Sequence, residues 1–271
     1  MTALELASKL DLPAETLAAL NCVRIPEDHG RIKELFLNDP QAFKEYAAGY
    51  RDGLMILRLY LEWANDTKAR YDTLGIPEAC FWDSIRDIAI WCDDYWQKNH
   101  IPGFWEWEWV GRTLRLEVIR IGRLQFEPTV LKDTVALSDR TFEAGSPMLD
   151  VHIPAGGPLD LPSVMASLDH APAFFKKYFG QEFSLLHCHS WLLCPQLKEL
   201  LPEQSRIIQF QNLFTVYKTD PERQAEERVF GFLADNADIY PENTSLQKSI
   251  KRYILEGKSV GMGAGIRHVY Q

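Results

Sequence analysis

The chain has 271 residues, which suits one large domain or two of ordinary size. Hydrophobic residues make up 46% of it and charged residues 25%, a balance that is typical of globular proteins and excludes a disordered chain. The formal net charge of -9 argues against a dedicated nucleic-acid-binding protein, because that function needs a broad basic surface.

The five cysteines and the N-terminal sequence predict a cytoplasmic location. The number of cysteines is odd and no CxxC pair occurs, so neither a disulfide framework nor a zinc ribbon is expected. The N-terminus lacks a basic region followed by an apolar one, which is the pattern of a signal peptide. The uncharged stretch around residues 185–197 is too short to span a bilayer, so we expect no membrane partner.

Residues 1 to about 100 have the pattern of a helical domain. Asp11-Leu12-Pro13 and Pro26-Glu27-Asp28 resemble helix starts. From 41 to 64, apolar residues recur in steps of three and four and predict one helical face. After a break at 75–77, residues 81–96 carry an aromatic helical stripe. We interpret that stripe as core packing, with an aromatic ligand cage as the alternative.

The rest of the chain alternates between strand and helix patterns. The WEWEW segment within 104–116 fits either type, and propensity favours a strand. Strands are predicted at 118–126, 134–137, 148–153, 183–188, 206–217 and 259–269, and helices at 162–179, 191–201, 221–233 and 245–255. Pro172 is expected to kink or divide its helix. This order predicts an α/β layer with a partly parallel sheet, after a boundary near 100–116.

A glycine-containing loop between a predicted strand and helix, at 148–162, is a candidate anion site. Unpaired N–H groups and the helix dipole both favour a negative ligand at a helix N-terminus. The loop is neither GxGxxG nor a P-loop, and an ordinary Pro/Gly turn is the alternative.

The sequence His187-Cys188-His189-Ser190 ends the next predicted strand and carries the second candidate site. The two histidines should face the same side of that strand. They could be metal ligands with His152 or an acidic residue, a general acid or base, or structural groups. Cys188 should point into the core, and Ser190 lacks the G-x-S-x-G context of a hydrolase.

The glycines of GMGAG, 261–265, are the third feature. They would permit close approach of a ligand or of backbone, or they belong to a flexible tail.

Taken together, several strings resemble bacterial acyltransferase-domain proteins with a helical N-terminal domain and a GNAT-like C-terminal domain. The strings are IRIGRLQFE (119–127), HIPAGGPL (152–159), CHSWLLCPQL (188–197), IIQFQNLF (207–214) and NTSLQ (243–247). The resemblance implies an α+β fold. Its helical N-terminal domain would cover 1–115, and a GNAT-like α/β domain with a mixed, splayed central sheet would cover 116–271.

The resemblance also implies an acyl-CoA-dependent N-acyltransferase. Acetyl-CoA or another acyl-CoA would be the cosubstrate, no metal is expected, and the acceptor would be a small-molecule amine or a peptide. Acyl-CoA would lie where parallel strands 150–153 and 183–188 splay apart, with its pyrophosphate on the following loop. The residues that the resemblance assigns to CoA are Asp150, Val151, Ile153, Ala155, Gly156, Gly157 and Leu159.

Two departures from the family pattern shape the predicted mechanism. The loop lacks the usual Arg/Gln-x-x-Gly-x-Gly/Ala sequence, and its two prolines offer no N–H. The helix after the second strand lacks the Tyr that often protonates the leaving thiolate. His189 or Ser190 would serve instead, or a water, and His152 is the candidate base for the amine.

Two other functions compete with this one. A non-catalytic CoA- or ligand-binding protein on the same fold would explain the departures, and a metal enzyme would use His187, His189 and His152. The Trp-rich helical half could bury a homodimer interface or simply its own core.

Overall fold

The computed structural model describes residues 1–138 and 140–269. They form two compact units, the first comprising 1–121 with 154–156 and the second comprising 122–153 with the residues from 157 onwards. None of the described helices is long and apolar enough to cross a bilayer.

The first unit is mainly helical. Its helices are α1 (Ala3–Lys9), α2 (Ala14–Cys22), α3 (His29–Asn38), α4 (Pro40–Ala47), α5 (Leu54–Leu74), α6 (Glu78–Ile85), α7 (Asp87–Asn99) and α8 (Trp107–Leu114), and strand β1 (Ile119–Ile121) follows them. The apolar stripe of 41–64 is therefore divided between α4 and α5. The division falls at Gly53, which has φ +67°, and a Cβ there would lie 1.8 Å from the carbonyl oxygen of Phe104.

Aromatic side chains fill the core of the helical unit. Phe36 stacks on Trp63 with ring centroids 5.0 Å apart, and Phe43 stacks on Tyr60 at 6.1 Å. The Tyr60 hydroxyl donates to the carbonyl oxygen of Trp107 at 2.8 Å, which ties α5 to the start of α8. Such ring pairs add about 0.5–1.5 kcal/mol each beyond their buried area.

The WEWEW segment enters a helix, against its strand propensity. Gly111 of α8 packs so closely on Tyr60 that a Cβ there would lie 2.7 Å from the Tyr60 hydroxyl oxygen. Trp109 also donates its indole N–H to Asp87 at 2.9 Å. Burial of this face outweighs the local preference. In the stripe of 81–96, Phe81 and Cys92 are buried, as a core interpretation requires.

The second unit contains the remaining strands and helices. Its strands are β2 (Leu124–Val130), β3 (Val135–Ala136), β4 (Thr141–Phe142), β5 (Pro147–His152), β6 (Leu185–Ser190), β7 (Thr215–Asp220) and β8 (Met262–His268). Its α-helices are α9 (Leu161–Phe179), α10 (Leu197–Leu200), α11 (Arg206–Gln211), α12 (Gln224–Phe230) and α13 (Ser245–Leu255), with 3-10 turns at Trp191–Leu193 and Ala237–Ile239.

The central sheet is mixed and has the strand order β1-β2-β5-β6-β8-β7. Strands β5 and β6 pair in parallel, whereas β5 with β2, β6 with β8, and β7 with β8 are antiparallel. Leu149 and Val151 of β5 are buried, while Asp150 and His152 alternate with them and reach the other face. The sheet thus has one apolar face under α9 and one face that carries polar groups.

Three predictions for the second unit are wrong in detail. The predicted strand at 206–217 is α11 followed by β7, because Ile208 and Phe210 are buried on a helix that packs beside the 3-10 turn at 191–193. The predicted helix at 191–201 is that 3-10 turn and the short α10, separated at Pro195. Pro172 does not divide α9, which runs unbroken to Phe179.

The glycines of GMGAG lie in β8 and allow backbone to approach backbone. A Cβ on Gly261 would lie 2.1 Å from the carbonyl oxygen of Asp220, and one on Gly263 would lie 2.3 Å from that of Leu193. Of the alternatives that the sequence left open, the close approach of backbone is therefore the one that the structure contains.

Candidate active site

The parallel pair β5–β6 opens towards its carboxyl ends. Its register consists of two pairs, Leu149 with Leu186 and Asp150 with His187. Beyond them, within the described residues, β5 continues to pair with β2 and β6 with β8. An opening at the carboxyl ends of neighbouring strands is a common place for a ligand in α/β sheets.

Three side chains form a hydrogen-bonded series beside this opening. Asp150 Oδ1 lies 2.8 Å from Nδ1 of His187, and Nε2 of His187 lies 3.2 Å from the hydroxyl oxygen of Tyr217. The residues come from β5, β6 and β7 respectively. A carboxylate that orients an imidazole is the arrangement used to hold a catalytic histidine in one tautomer.

Electrostatics fix the direction of these hydrogen bonds. Burial alone would raise the pKa of Asp150, but the hydrogen bond from His187 and the nearby histidines outweigh it, so this pKa lies below its usual value. Asp150 is therefore ionised at neutral pH and accepts a proton from Nδ1–H of His187. In the neutral imidazole, Nε2 is then an acceptor, and the Tyr217 hydroxyl donates to it.

His152 belongs to a second group on the same face. Its Nε2 lies 3.1 Å from Oε2 of Glu127 and 3.9 Å from Oδ2 of Asp150. Within the described residues, this trio is the set of His, Cys, Asp and Glu side chains whose ligand atoms come close enough to hold a metal ion. The metal set suggested by the sequence, with His187 and His189, is not the one that comes together.

His189 and Ser190 are held by other partners. Nε2 of His189 lies 2.7 Å from Oδ2 of Asp220, the last residue of β7, and the His189 side chain is 39% exposed. Burial would raise the pKa of Asp220, but the hydrogen bond from His189 and that from the backbone of Glu222 lower it overall. The Ser190 hydroxyl accepts from the backbone N–H of Leu192 and caps the 3-10 turn.

Cys188 has the character of a core residue. It is fully buried on the face of β6 opposite the histidines, and this burial raises the pKa of its thiol well above the usual value. The prediction that it points into the core is thus consistent with its burial.

The N-terminus of α9 already carries a negative group. The Asp160 carboxylate accepts from the backbone N–H of Ser163 at 3.0 Å, which lowers its pKa. Positive charge comes instead from Arg123, which donates to the carbonyl oxygens of Pro158 and Gly157 at 2.9 and 3.0 Å. Leu159 lies between these groups and is partly exposed. Ala155 and Gly156, grouped with the helical unit, are exposed, and Gly156 has φ +85°.

The structure brings some of the predicted residues together and adds partners that the sequence did not indicate. Asp150, His152 and His187 converge, while His189 and Ser190 have the separate partners described above. Tyr217, Asp220 and Glu127 were missed. Their signal is non-local, because only the pairing of β2 with β5 and of β7 with β8 places them beside β5 and β6.

A helical unit followed by a mixed sheet with an open parallel pair defines the GNAT-like class of acyltransferases. The family model described as "GNAT-like C-terminal domain" matches residues 118–267, and "N-acyltransferase N-terminal domain" matches residues 1–116. The chain belongs to this GNAT-like acyltransferase family, and the protein is an acyltransferase. No curated protein sequence gives a significant match.

Solved acyltransferase structures share this fold. One, in complex with decanoyl-CoA, aligns with a TM-score of 0.81 at 24% identity, over 98% of this chain and 87% of that chain. Another, in complex with decanoyl-CoA and teicoplanin, aligns with a TM-score of 0.78 at 23% identity over the same shares. A third, with CoA and 10C-teicoplanin, gives 0.80 at 22% identity, again over those shares.

Proposed function

We propose that this acyltransferase is an N-acyltransferase that moves an acyl group from acyl-CoA to an amine by direct attack on the thioester. The observation that carries the proposal is the Asp150–His187 pair at the opening of the parallel strands. An amine must be neutral and aligned to attack, and a histidine with an unperturbed pKa near neutrality is suited to take its proton.

Acyl-CoA is proposed to enter the opening between β5 and β6. Pantetheine would form sheet-like hydrogen bonds with Asp150, Val151 and Ile153, where the pairing of β5 with β6 has ended. The neighbours crystallised with decanoyl-CoA and CoA have the same fold, which supports this cosubstrate. Acetyl-CoA and longer acyl-CoAs are the candidates.

Binding of the pyrophosphate needs positive charge near the loop. Arg123 supplies it beside Gly157, and Leu159 would border the same ligand. The Asp160 carboxylate disfavours a phosphate directly on the end of α9, so we place the phosphates nearer to Arg123. Ala155 and Gly156 stay predicted contacts.

His187 is the proposed proton acceptor for the amine, since Asp150 stabilises the imidazolium that forms. His152, the base predicted from the sequence, is paired with Glu127 and would hold the amine through that carboxylate. His189 and Ser190 remain the candidates for the leaving thiolate. If they serve it, replacing both with Ala should lower turnover by at least about tenfold, given typical acid–base contributions.

The acceptor is proposed to be an amine on a small molecule or peptide. Two neighbours were crystallised with teicoplanin or 10C-teicoplanin, which supports a peptide-type acceptor. The carboxylates of Glu127, Asp150 and Asp220 on this side of the sheet would attract a cationic amine. A cytoplasmic location and a homodimer stay predictions.

Thermal unfolding of EDTA-treated protein tests the cosubstrate against the two rival functions. Ligand at about a hundred times its dissociation constant should add roughly 2.7 kcal/mol of stability. We expect the midpoint to rise with acyl-CoA and not with divalent metals. A rise with metal alone would favour a metal enzyme using Glu127, Asp150 and His152, and no rise with any ligand would contradict the proposal.

A further inference from the structure

The proposed base is not free to meet a substrate. His187 is only 9% exposed, and both of its ring nitrogens have a partner. Nδ1 faces Asp150, and Nε2, the atom that must take the proton, faces the hydroxyl of Tyr217. Any proton that reaches His187 along this series must therefore pass the phenol.

A β-bulge places the phenol there. Strand β7 pairs with β8 through Val216 with Gly265 and Lys218 with Ala264, so Tyr217 is the extra residue between two consecutive pairs. Bulges re-aim a side chain and are frequent beside active sites. The Tyr217 ring packs on an apolar cluster of Leu131, Val135, Met148, Leu185 and Ile266, which leaves the hydroxyl directed at His187.

Resting on the proposed function, we propose that the Tyr217 hydroxyl is the group that exchanges a proton with the substrate, and that His187 stores this proton. As the amine nitrogen bonds to the thioester carbon, its proton passes to Tyr217 Oη while the Tyr217 proton passes to Nε2 of His187. The C–S bond then breaks, and the stored proton returns through Tyr217 to the CoA thiolate. The products are an amide and CoA–SH, so no other reactant is needed.

The surroundings of Tyr217 suit a relay better than a free phenolate. Burial raises the pKa of its hydroxyl, and the negative charges of Asp133 and Asp150 raise it further, so the group is protonated at neutral pH. It can then donate to His187 and accept from the amine at the same time. Tyr217 is also partly exposed, whereas His187 is buried, so the phenol is the end of the series that solvent can reach.

The test replaces single hydroxyl groups in the second unit. Tyr217→Phe keeps the ring on its apolar cluster and removes the relay. Tyr253→Phe is the matched control, because it removes a hydroxyl that bonds Glu199 at 3.0 Å in a different cluster. With acyl-CoA and an amine acceptor, Tyr217→Phe should lower kcat at least about tenfold with the acyl-CoA KM little changed, and Tyr253→Phe should leave both near wild type.

Two further readouts separate a relay from a structural role. The double variant with His187→Asn should be no slower than His187→Asn alone, because both residues act in one series. The solvent deuterium isotope effect on kcat should show more than one proton in flight for the wild type and one for Tyr217→Phe. Additive losses, or an unchanged isotope effect, would overturn the relay.

Failure of the relay and failure of the proposed function give different results. An unaffected Tyr217→Phe beside an inactive but folded His187→Asn would overturn the relay and leave His187 as the base. Full activity in both folded variants would overturn both proposals.

Discussion

Two histidines compete for the role of the base, and each is paired with its own aspartate. Asp150→Asn removes the charge that holds His187, and Asp220→Asn removes the charge that holds His189. The two carboxylates have similar side-chain exposures, 24% and 23%, but the histidines differ, at 11% for His187 and 39% for His189. The pair of variants is therefore a matched comparison.

The structure sets the expected sizes of the two effects. The Asp150–His187 bond is 2.8 Å long, charge-assisted when the imidazole is protonated, and shielded from solvent, so its loss should cost about 1.5–3 kcal/mol in the transition state. That corresponds to a fall of about 10–150-fold in kcat/KM. The more exposed Asp220–His189 pair is worth at most about 1 kcal/mol, or about fivefold.

Release of the CoA thiol, followed at saturating acyl-CoA with varied amine, measures both variants. Circular dichroism and thermal unfolding check that each is folded. A larger loss in Asp220→Asn than in Asp150→Asn would refute the assignment to His187 and return the base to His189.

Three further predictions concern the cofactor loop, strand β8 and acid stability. Arg123→Ala should raise the KM for acyl-CoA, measured by initial rates, and the effect should shrink at high salt, whereas an unchanged KM would remove Arg123 from the phosphate site. Gly263→Ala should lower the free energy of unfolding in urea by about 1–3 kcal/mol, because its Cβ would meet the carbonyl oxygen of Leu193, while Gly30→Ala in α3, with no atom within 4 Å, should be neutral or stabilising. Because the pKa of Asp150 is lower in the folded protein, the unfolded chain binds more protons as pH falls below about 4; the stability from this group is complete above that pH and is lost as pH falls through the folded pKa, so Asp150→Asn should show a shallower acid dependence in pH-dependent unfolding, and an identical dependence would contradict the pKa shift.

Local signals explain which elements the sequence predicted. Helix α13 follows a capping box in which the Thr244 hydroxyl accepts from the Gln247 N–H and the Gln247 side chain accepts from the Thr244 N–H. Strand β5 is marked by alternation and by the Pro/Gly loop after it, and α9 ends at Gly180, whose φ is +67°. These cues act over a few residues and can be read directly.

Non-local packing explains what the sequence did not predict. Residues 206–211 are rich in β-formers, yet burial of Ile208 and Phe210 beside the 3-10 turn makes them helical. Tyr217 reaches His187 only because β7 bulges against β8, 30 residues after His187 in the chain. Sequence alternation predicted the histidines on one face but not which acidic partner each would find.

The most direct test of the account is detection of the acylated product. Purified protein is incubated with decanoyl-CoA and a set of amine acceptors that includes a glycopeptide, and products are followed by mass spectrometry together with released CoA. The account predicts an amide and CoA in equal amounts, with product formation lost in a folded His187→Asn variant. Product formation at the wild-type rate in that variant, or no amide with any acyl-CoA and amine tested, would contradict it.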